Sequence, residues 1–302
     1  MDSITHVILG AACGEAVLGK KLGNRAMIWG SIGGSLPDFD VFAHFIMDPL
    51  NALVFHRGPM HSLLFVLLIP FLLGPLVKKL YDGTWHRKKF WKYTGFIISV
   101  LLYLLSSFIL CWIYGLLFEG RPWIMILILT IFGVYLFFKR YQQIFISEPN
   151  EIPEASVREW TLLFSVSVLI HPLLDSLTTY GTQLYWPFSE TRVAISCIAI
   201  ADPLYTIPFA IFIVLALLEQ RNKRLRRCWN LMGIGISSFY LLFTFINKKH
   251  IDNLFKESLN NHQVTYSQFL TVPTILNNVL WYAIAKNDSG YVYSYYSMFD
   301  EE

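Results

Sequence analysis

Apolar residues in this chain gather into long runs instead of alternating with polar ones. Six runs, near 63–80, 95–118, 123–138, 160–178, 193–218 and 229–246, approach or exceed the length a helix needs to cross a bilayer, which is about 20 residues. Two shorter stretches, near 5–19 and 26–36, precede them, and the first carries Glu15. They predict a re-entrant or tilted hairpin. Pro70, Pro75 and Pro208 predict kinks, because neighbouring helices can satisfy the freed carbonyls. After residue 247 the pattern changes. Aromatic and polar residues alternate through 262–299 around a turn at Asn287-Asp288-Ser289-Gly290, as expected of a β-hairpin. The expectation is an all-α polytopic membrane protein with about six to eight membrane helices and a small C-terminal β-rich soluble extension. A helical membrane domain would cover 1–250 and the extension 251–302. No internal repeat or low-complexity segment is apparent.

Composition sharpens this picture. Hydrophobic residues make up 55% of the 302 and charged residues 15%, against about 25% charged in soluble domains. A net charge of +3 is too small to imply a nucleic-acid partner, so the bilayer is the expected one. Cys13, Cys111, Cys197 and Cys228 are scattered without a Cys-x-x-Cys pair, which disfavours disulfides and a thiolate zinc site. Met1-Asp2-Ser3 lacks the positive start of a signal peptide, so the first apolar segment is expected to persist.

The placement of basic residues orients the runs. Lys20, Lys21 and Arg25; Lys78, Lys79, Arg87, Lys88, Lys89 and Lys92; Lys139 and Arg140; and Arg221, Lys223, Arg224, Arg226 and Arg227 fall in alternate connections. Only Arg57, Arg121 and Arg192 fall in the others. The basic connections should be cytoplasmic, with 37–62, 119–122, 180–192 and the C-terminal extension facing out.

Ionisable side chains at span ends are costly unless they have a use. Four groups stand out. Asp2 and His6 share a helical face. Pro37-Asp38-Phe39-Asp40 suggests a non-helical stretch that points two carboxylates the same way. His56-Arg57-Gly58-Pro59-Met60-His61-Ser62 turns between two imidazoles. His171 and Asp175 pair at i, i+4 inside an apolar run. Each group has a bland reading, as a cap, a solvated loop or a structural pair. The expected topology carries all four to one membrane face. Imidazole and carboxylate donors suit zinc, and also manganese or iron, and this set is large enough for two metals. His44, His86, His250 and His262 lack partners at ligand spacing. Asp202 before Pro203 reads first as a helix cap, with a supporting role at the site open.

These residues, with Leu36-Pro37, Thr179-Tyr180-Gly181-Thr182, Asp202-Pro203 and the Tyr/Trp-rich tail, resemble the YdjM-like family of bacterial inner-membrane proteins described as metal-dependent hydrolases. That family is in turn similar to zinc-dependent phospholipase C and the S1/P1 nucleases, whose zinc clusters use His, Asp and an N-terminal group. The resemblance implies phosphoester hydrolysis by one to three metal ions. Asp38, Asp40, His56, His61, His171 and Asp175 would be the core ligands, and Asp2 and His6 would complete a second metal site. Asp40 would accept a proton and Arg57 would steady an anionic transition state, with Ser62, Thr179 and Asp202 in support. The substrate would be a lipid or another amphiphile at the outer interface. A transporter or metal-handling protein is the rival class, but it would place titratable groups at the midplane and often show repeats. A non-catalytic stress-response scaffold with a structural metal is the third reading.

Overall fold

The computed structural model describes residues 1–83, 89–118, 123–141 and 154–300. The basic connection with His86, Arg87 and Lys88, and the 119–122 connection with Arg121, lie outside the described residues. Nine α-helices are described: α1 (Ser3–Leu22), α2 (Asn24–Ser35), α3 (Pro49–Phe55), α4 (Leu63–Asp82), α5 (Lys89–Phe118), α6 (Trp123–Tyr141), α7 (Val157–Asp175), α8 (Pro203–Leu218) and α9 (Arg224–Asn261). They are followed by strands β1 (Gln268–Pro273), β2 (Leu280–Asn287) and β3 (Gly290–Ser297).

Contacts divide the chain into two units. One comprises Met1–Leu76 and Glu154–Glu302, and the other Val77–Pro153. The second unit contains the end of α4 with α5 and α6, which pack through Tyr103. Its hydroxyl donates to the Leu129 carbonyl, and its ring meets Phe137 edge-on at 5.3 Å.

The first unit holds the candidate site. Its helices begin where local chemistry favours a start. Ser156 and Glu159 form a capping box at α7. Asp202 caps α8 ahead of Pro203, accepting from Leu204 N and Tyr205 N. Trp160, Leu163, Phe164 and Val168 of α7 are fully buried, as are Met27 and Phe209. Glu15, the charge inside the first apolar stretch, is matched by Arg226 from α9 at 2.8 and 2.5 Å. Asn24 accepts from the same guanidinium at 2.5 Å.

Among the described residues, α4, α7 and α9 are long and apolar enough to cross a membrane. Three described helices meet this criterion where six to eight spans were expected, and two of the expected runs fall short for identifiable reasons. With 12 residues, α2 is only about 18 Å long at the α-helical rise. The run at 193–218 becomes a helix only from Pro203. Its first ten residues form a loop whose Cys197 and Ile198 are apolar because they are buried in the protein.

With 38 residues, α9 reaches about 57 Å, well past a hydrocarbon core of about 30 Å. The proposed boundary at 250/251 falls inside it. Its polar end carries the sheet. Phe255 and Leu259 pack against Ala283 and Ala285, and Asn247 donates to Asn278 Oδ1 at 2.7 Å. The expected hairpin is present between β2 and β3, with Asn287 opposite Gly290. A third strand, β1, joins antiparallel to β2.

Candidate metal centre

The site forms where helix ends meet, and a close helix crossing makes that possible. Gly10 and Gly14 of α1 face Gly30 and Gly34 of α2, with backbone where a β-carbon would stand. Small residues at four-residue spacing let two backbones touch. The approach brings the Gly34 carbonyl to 2.5 Å from His171 Nδ1. On α1, Asp2 caps the helix, accepting from Thr5 N at 3.0 Å and from Thr5 Oγ1 at 2.7 Å. That turns His6 inward, where it is 1% exposed.

Pro37–Phe45 winds as a 3-10 helix, where the sequence suggested a non-helical stretch. With about three residues per turn, Asp38 and Asp40 point in different directions, not the same one. Asp38 faces the histidines. Asp40 sits behind them, its Oδ1 accepting from His56 Nδ1 at 2.8 Å and its Oδ2 from Arg57 N at 2.8 Å. The second bond depends on Arg57 adopting a left-handed backbone, φ +59°, a costly conformation for a side chain of this size.

Four donor atoms converge. His61 Nε2 and His171 Nε2 are 3.0 Å apart. Asp38 Oδ1 lies 3.4 Å from His171 Nε2 and 3.9 Å from His61 Nε2. Asp175 Oδ2 lies 3.4 Å from His61 Nε2 and 3.6 Å from His171 Nε2. Ligands at zinc distance and tetrahedral angles stand roughly 3.3–3.6 Å apart. The five separations bracket that spacing. Two triads share His171: Asp38, His61 and His171 form one, and His6, His171 and Asp175 the other. His6 Nε2 is 3.0 Å from Asp175 Oδ1, and the His6 ring stacks on His171 at 3.5 Å. The Met1 amino group also touches Asp175 Oδ1.

Protonation decides whether these atoms can accept a cation. His171 Nδ1 faces a carbonyl, which only an N–H can satisfy, so its Nε2 carries a lone pair. His61 Nδ1 lies 3.1 Å from Asp40 Oδ2, although off the line of a regular hydrogen bond. Burial raises the Asp40 carboxyl, but the His56 hydrogen bond and the adjacent His61 imidazole outweigh it and hold it far below the usual range. An ionised oxygen there calls for an N–H on His61 Nδ1, which leaves a second bare Nε2. Burial also pushes His61 down to about 4, against the pull of Asp40, so an extra proton between the two imidazoles is disfavoured near neutrality. Asp175 Oδ2 is buried without a hydrogen bond. Asp38, Asp40 and Asp175 outnumber the Arg57 guanidinium by two, 3 − 1, and burial disfavours the charged form of the other cation at hand, the Met1 amino group. The donor set and the charge fit a divalent ion.

Other expected residues take different places. Asp2 is engaged in its cap. His56 binds Asp40 and lies outside both triads. Arg57 is turned inward. Its Nε is 3.2 Å from Asp175 Oδ2, and its Nη1 donates to Thr178 Oγ1 at 2.9 Å. Asp40 accepts from His56 Nδ1 and Arg57 N. Ser62 caps α4, accepting from Phe65 N at 3.2 Å. Thr179 is exposed, and its neighbour Thr178 is the buried partner. Asp202 accepts from Tyr240 Oη at 2.8 Å on top of its cap, so the cap reading fits.

Sequence reasoning missed several contributors. Ser3 donates to Asp38 Oδ2 at 2.8 Å. Tyr180 stacks between Arg57 and Arg192, at 5.2 and 4.5 Å from its ring centre. Arg192 donates to the His56 carbonyl at 2.8 Å. The paired glycine spacing is the sequence signal for the close crossing of α1 and α2.

The chain is thus a predominantly helical membrane protein with a buried His/Asp centre where its helix ends gather. More particularly, the YdjM inner membrane protein family matches residues 1–119 and 122–251, and the chain belongs to that family. Every residue of the two triads lies within the match. No curated protein and no solved structure matches the chain.

Proposed function

We propose that this protein is a membrane-embedded metal-dependent hydrolase. It would cleave a phosphoester or other ester of a lipid or amphiphilic molecule at the outer membrane interface, with the centre and the C-terminal sheet on the extracytoplasmic side. The observation that carries the reading is the pair of overlapping triads, Asp38/His61/His171 and His6/His171/Asp175, with a buried carboxylate oxygen of Asp175 that lacks a hydrogen bond beside them. Zinc suits two imidazoles and two carboxylates. Bound there, a divalent ion supplies Lewis acidity and an activated water.

The chain's own groups do the rest. Gly34 and Asp40 orient the two imidazoles, as partners behind metal-binding histidines do. Arg57 balances Asp175. His56 is the group suited to take a proton: Asp40 holds its Nδ1, its side chain is 27% exposed, and Nε2 remains for the transfer. Phosphoester chemistry and kinship to phospholipase C-like enzymes rest on resemblance.

The test is metal quantification on protein purified without chelator, beside His61→Ala and Asp175→Ala, with turnover of phospholipid and lipid-phosphate substrates. Bound transition metal in wild type and its loss in both variants is the expected result. His56→Gln should keep the metal and lose turnover. Wild type free of metal would overturn the reading, and metal without turnover on any such substrate would favour a structural centre.

A further inference from the structure

The segment from Phe39 to Val54 connects α2 to the centre and carries no Lys or Arg. In its 3-10 part the three-residue period sorts side chains into stripes. Asp40 and Ala43 form the buried stripe. Phe39, Phe42 and Phe45 form an exposed one, with ring centres 5.8 and 6.2 Å apart. Phe45 and Ile46 are 84% and 87% exposed, and Leu50 of α3 is 76% exposed. Leu53 and Val54 are also open. Exposed apolar side chains at this density, interrupted by the exposed His44, Asp48 and Asn51, mark a contact with something largely apolar.

We infer that residues 39–54 form a paddle that sinks into the acyl layer of the bilayer beside the centre, so that an acyl-chain substrate reaches the site from within the membrane. The bilayer is the occupant for three reasons. The chain belongs to an inner-membrane family. The paddle leads through residues 56–62 into α4, a span whose Leu64, Leu67, Leu68 and Phe71 are exposed. The same short helix holds Asp40 inward and its phenylalanines outward, so the depth of the paddle sets the depth of the centre. Beside α3 lies an open cavity of about 510 Å³, lined by Met47, Val54, Phe55 and Trp186 together with the carboxylates of Asp48 and Glu190.

The delivery clause rests on the hydrolase reading, whereas the depth of the paddle does not. The four native cysteines are replaced, and nitroxide labels are placed through Phe45→Cys, Leu50→Cys and, as an aqueous control on α9, Glu257→Cys. Each protein is reconstituted in phosphatidylethanolamine/phosphatidylglycerol vesicles. Labels at 45 and 50 should relax with oxygen, resist a water-soluble nickel chelate and report a depth of about 5–10 Å. Nickel access at 45 and 50 equal to that at 257 would overturn the paddle. In the second arm, Phe45→Asp with Leu50→Asp should lower turnover of vesicle lipid relative to a short-chain soluble ester. An unchanged ratio would overturn delivery. Absence of metal and turnover in wild type would count against the hydrolase reading and leave the depth result standing.

Discussion

Replacing Gly34 by Ala tests whether the helix crossing sets the centre. Ala is the better helix former by about 1 kcal/mol, so propensity alone favours the change. Against it, a β-carbon at Gly34 would stand 2.7 Å from the His6 carbonyl oxygen and 2.9 Å from Gly10 Cα. Both obstacles are backbone and cannot swing aside. Ordinary contact begins at 3.4 Å, so α2 must withdraw by about 0.7 Å, 3.4 − 2.7. Overpacking of this kind costs roughly 1–3 kcal/mol, which outweighs the propensity gain. The same withdrawal carries the Gly34 carbonyl away from His171 Nδ1, now at 2.5 Å. Loss of such an orienting partner lowers metal affinity about 10–100-fold. The assay is zinc titration against a chromophoric chelator in detergent, with thermal unfolding of the metal-free protein alongside. Gly235→Ala on α9 is the control, because nothing lies within 4 Å of its β-carbon. It should be neutral or slightly stabilising. If Gly34→Ala binds metal and unfolds as Gly235→Ala does, the crossing does not control the site.

Three further outcomes follow from other contacts. His61 is held near 4 in the fold, mainly by burial, against 6.5 in the unfolded chain. As pH falls through that window the unfolded state takes up the proton first, so stability present at neutral pH is lost, by up to about 3 kcal/mol. Thermal unfolding of metal-free protein from neutral pH downward should show this slope, and an equal slope in His61→Asn would contradict it. Breaking the Glu15–Arg226 pair by Glu15→Gln alone should cost about 3–5 kcal/mol, whereas Glu15→Leu with Arg226→Met should recover most of it; a double variant as unstable as the single would argue against a simple buried pair. Asp202→Ala should lose about 1 kcal/mol as a cap and more through the stranded Tyr240 hydroxyl, with metal content unchanged. Metal loss in that variant would restore Asp202 to the site.

What the sequence revealed and what it hid divide along physical lines. His171 and Asp175 were legible because helical periodicity alone puts i and i+4 on one face, and His61 because a glycine-proline turn precedes it. Membrane character was legible from run length. Which runs would be helical throughout was not, because a run can be apolar for two reasons: Ile198 is buried against protein, whereas Leu67 of α4 is exposed. Hydropathy weighs the two alike. The directions of Asp38 and Asp40 depend on whether three or two residues make a repeat, and Pro37 is compatible with both. Thr178 and Thr179 differ only in which side of the turn after α7 they occupy. That is set by long-range bonds such as Cys197 N to the Leu177 carbonyl at 2.9 Å, which no local pattern encodes.

The choice of residues around the centre follows one electrostatic constraint. Burying ionised carboxylates is expensive unless a countercharge lies close. Arg57 supplies one such charge, leaving the excess of two. Protonating His61 would offset part of it, but burial opposes that proton down to about 4. A divalent ion held by the overlapping His/Asp triads would meet these demands at once. It also explains why the histidines are held by partners on their far sides: Gly34 and Asp40 fix each proton at Nδ1, so that both lone pairs face inward. An ordinary buried ion-pair network would need His61 charged, and the burial that makes the site dry is what prevents it.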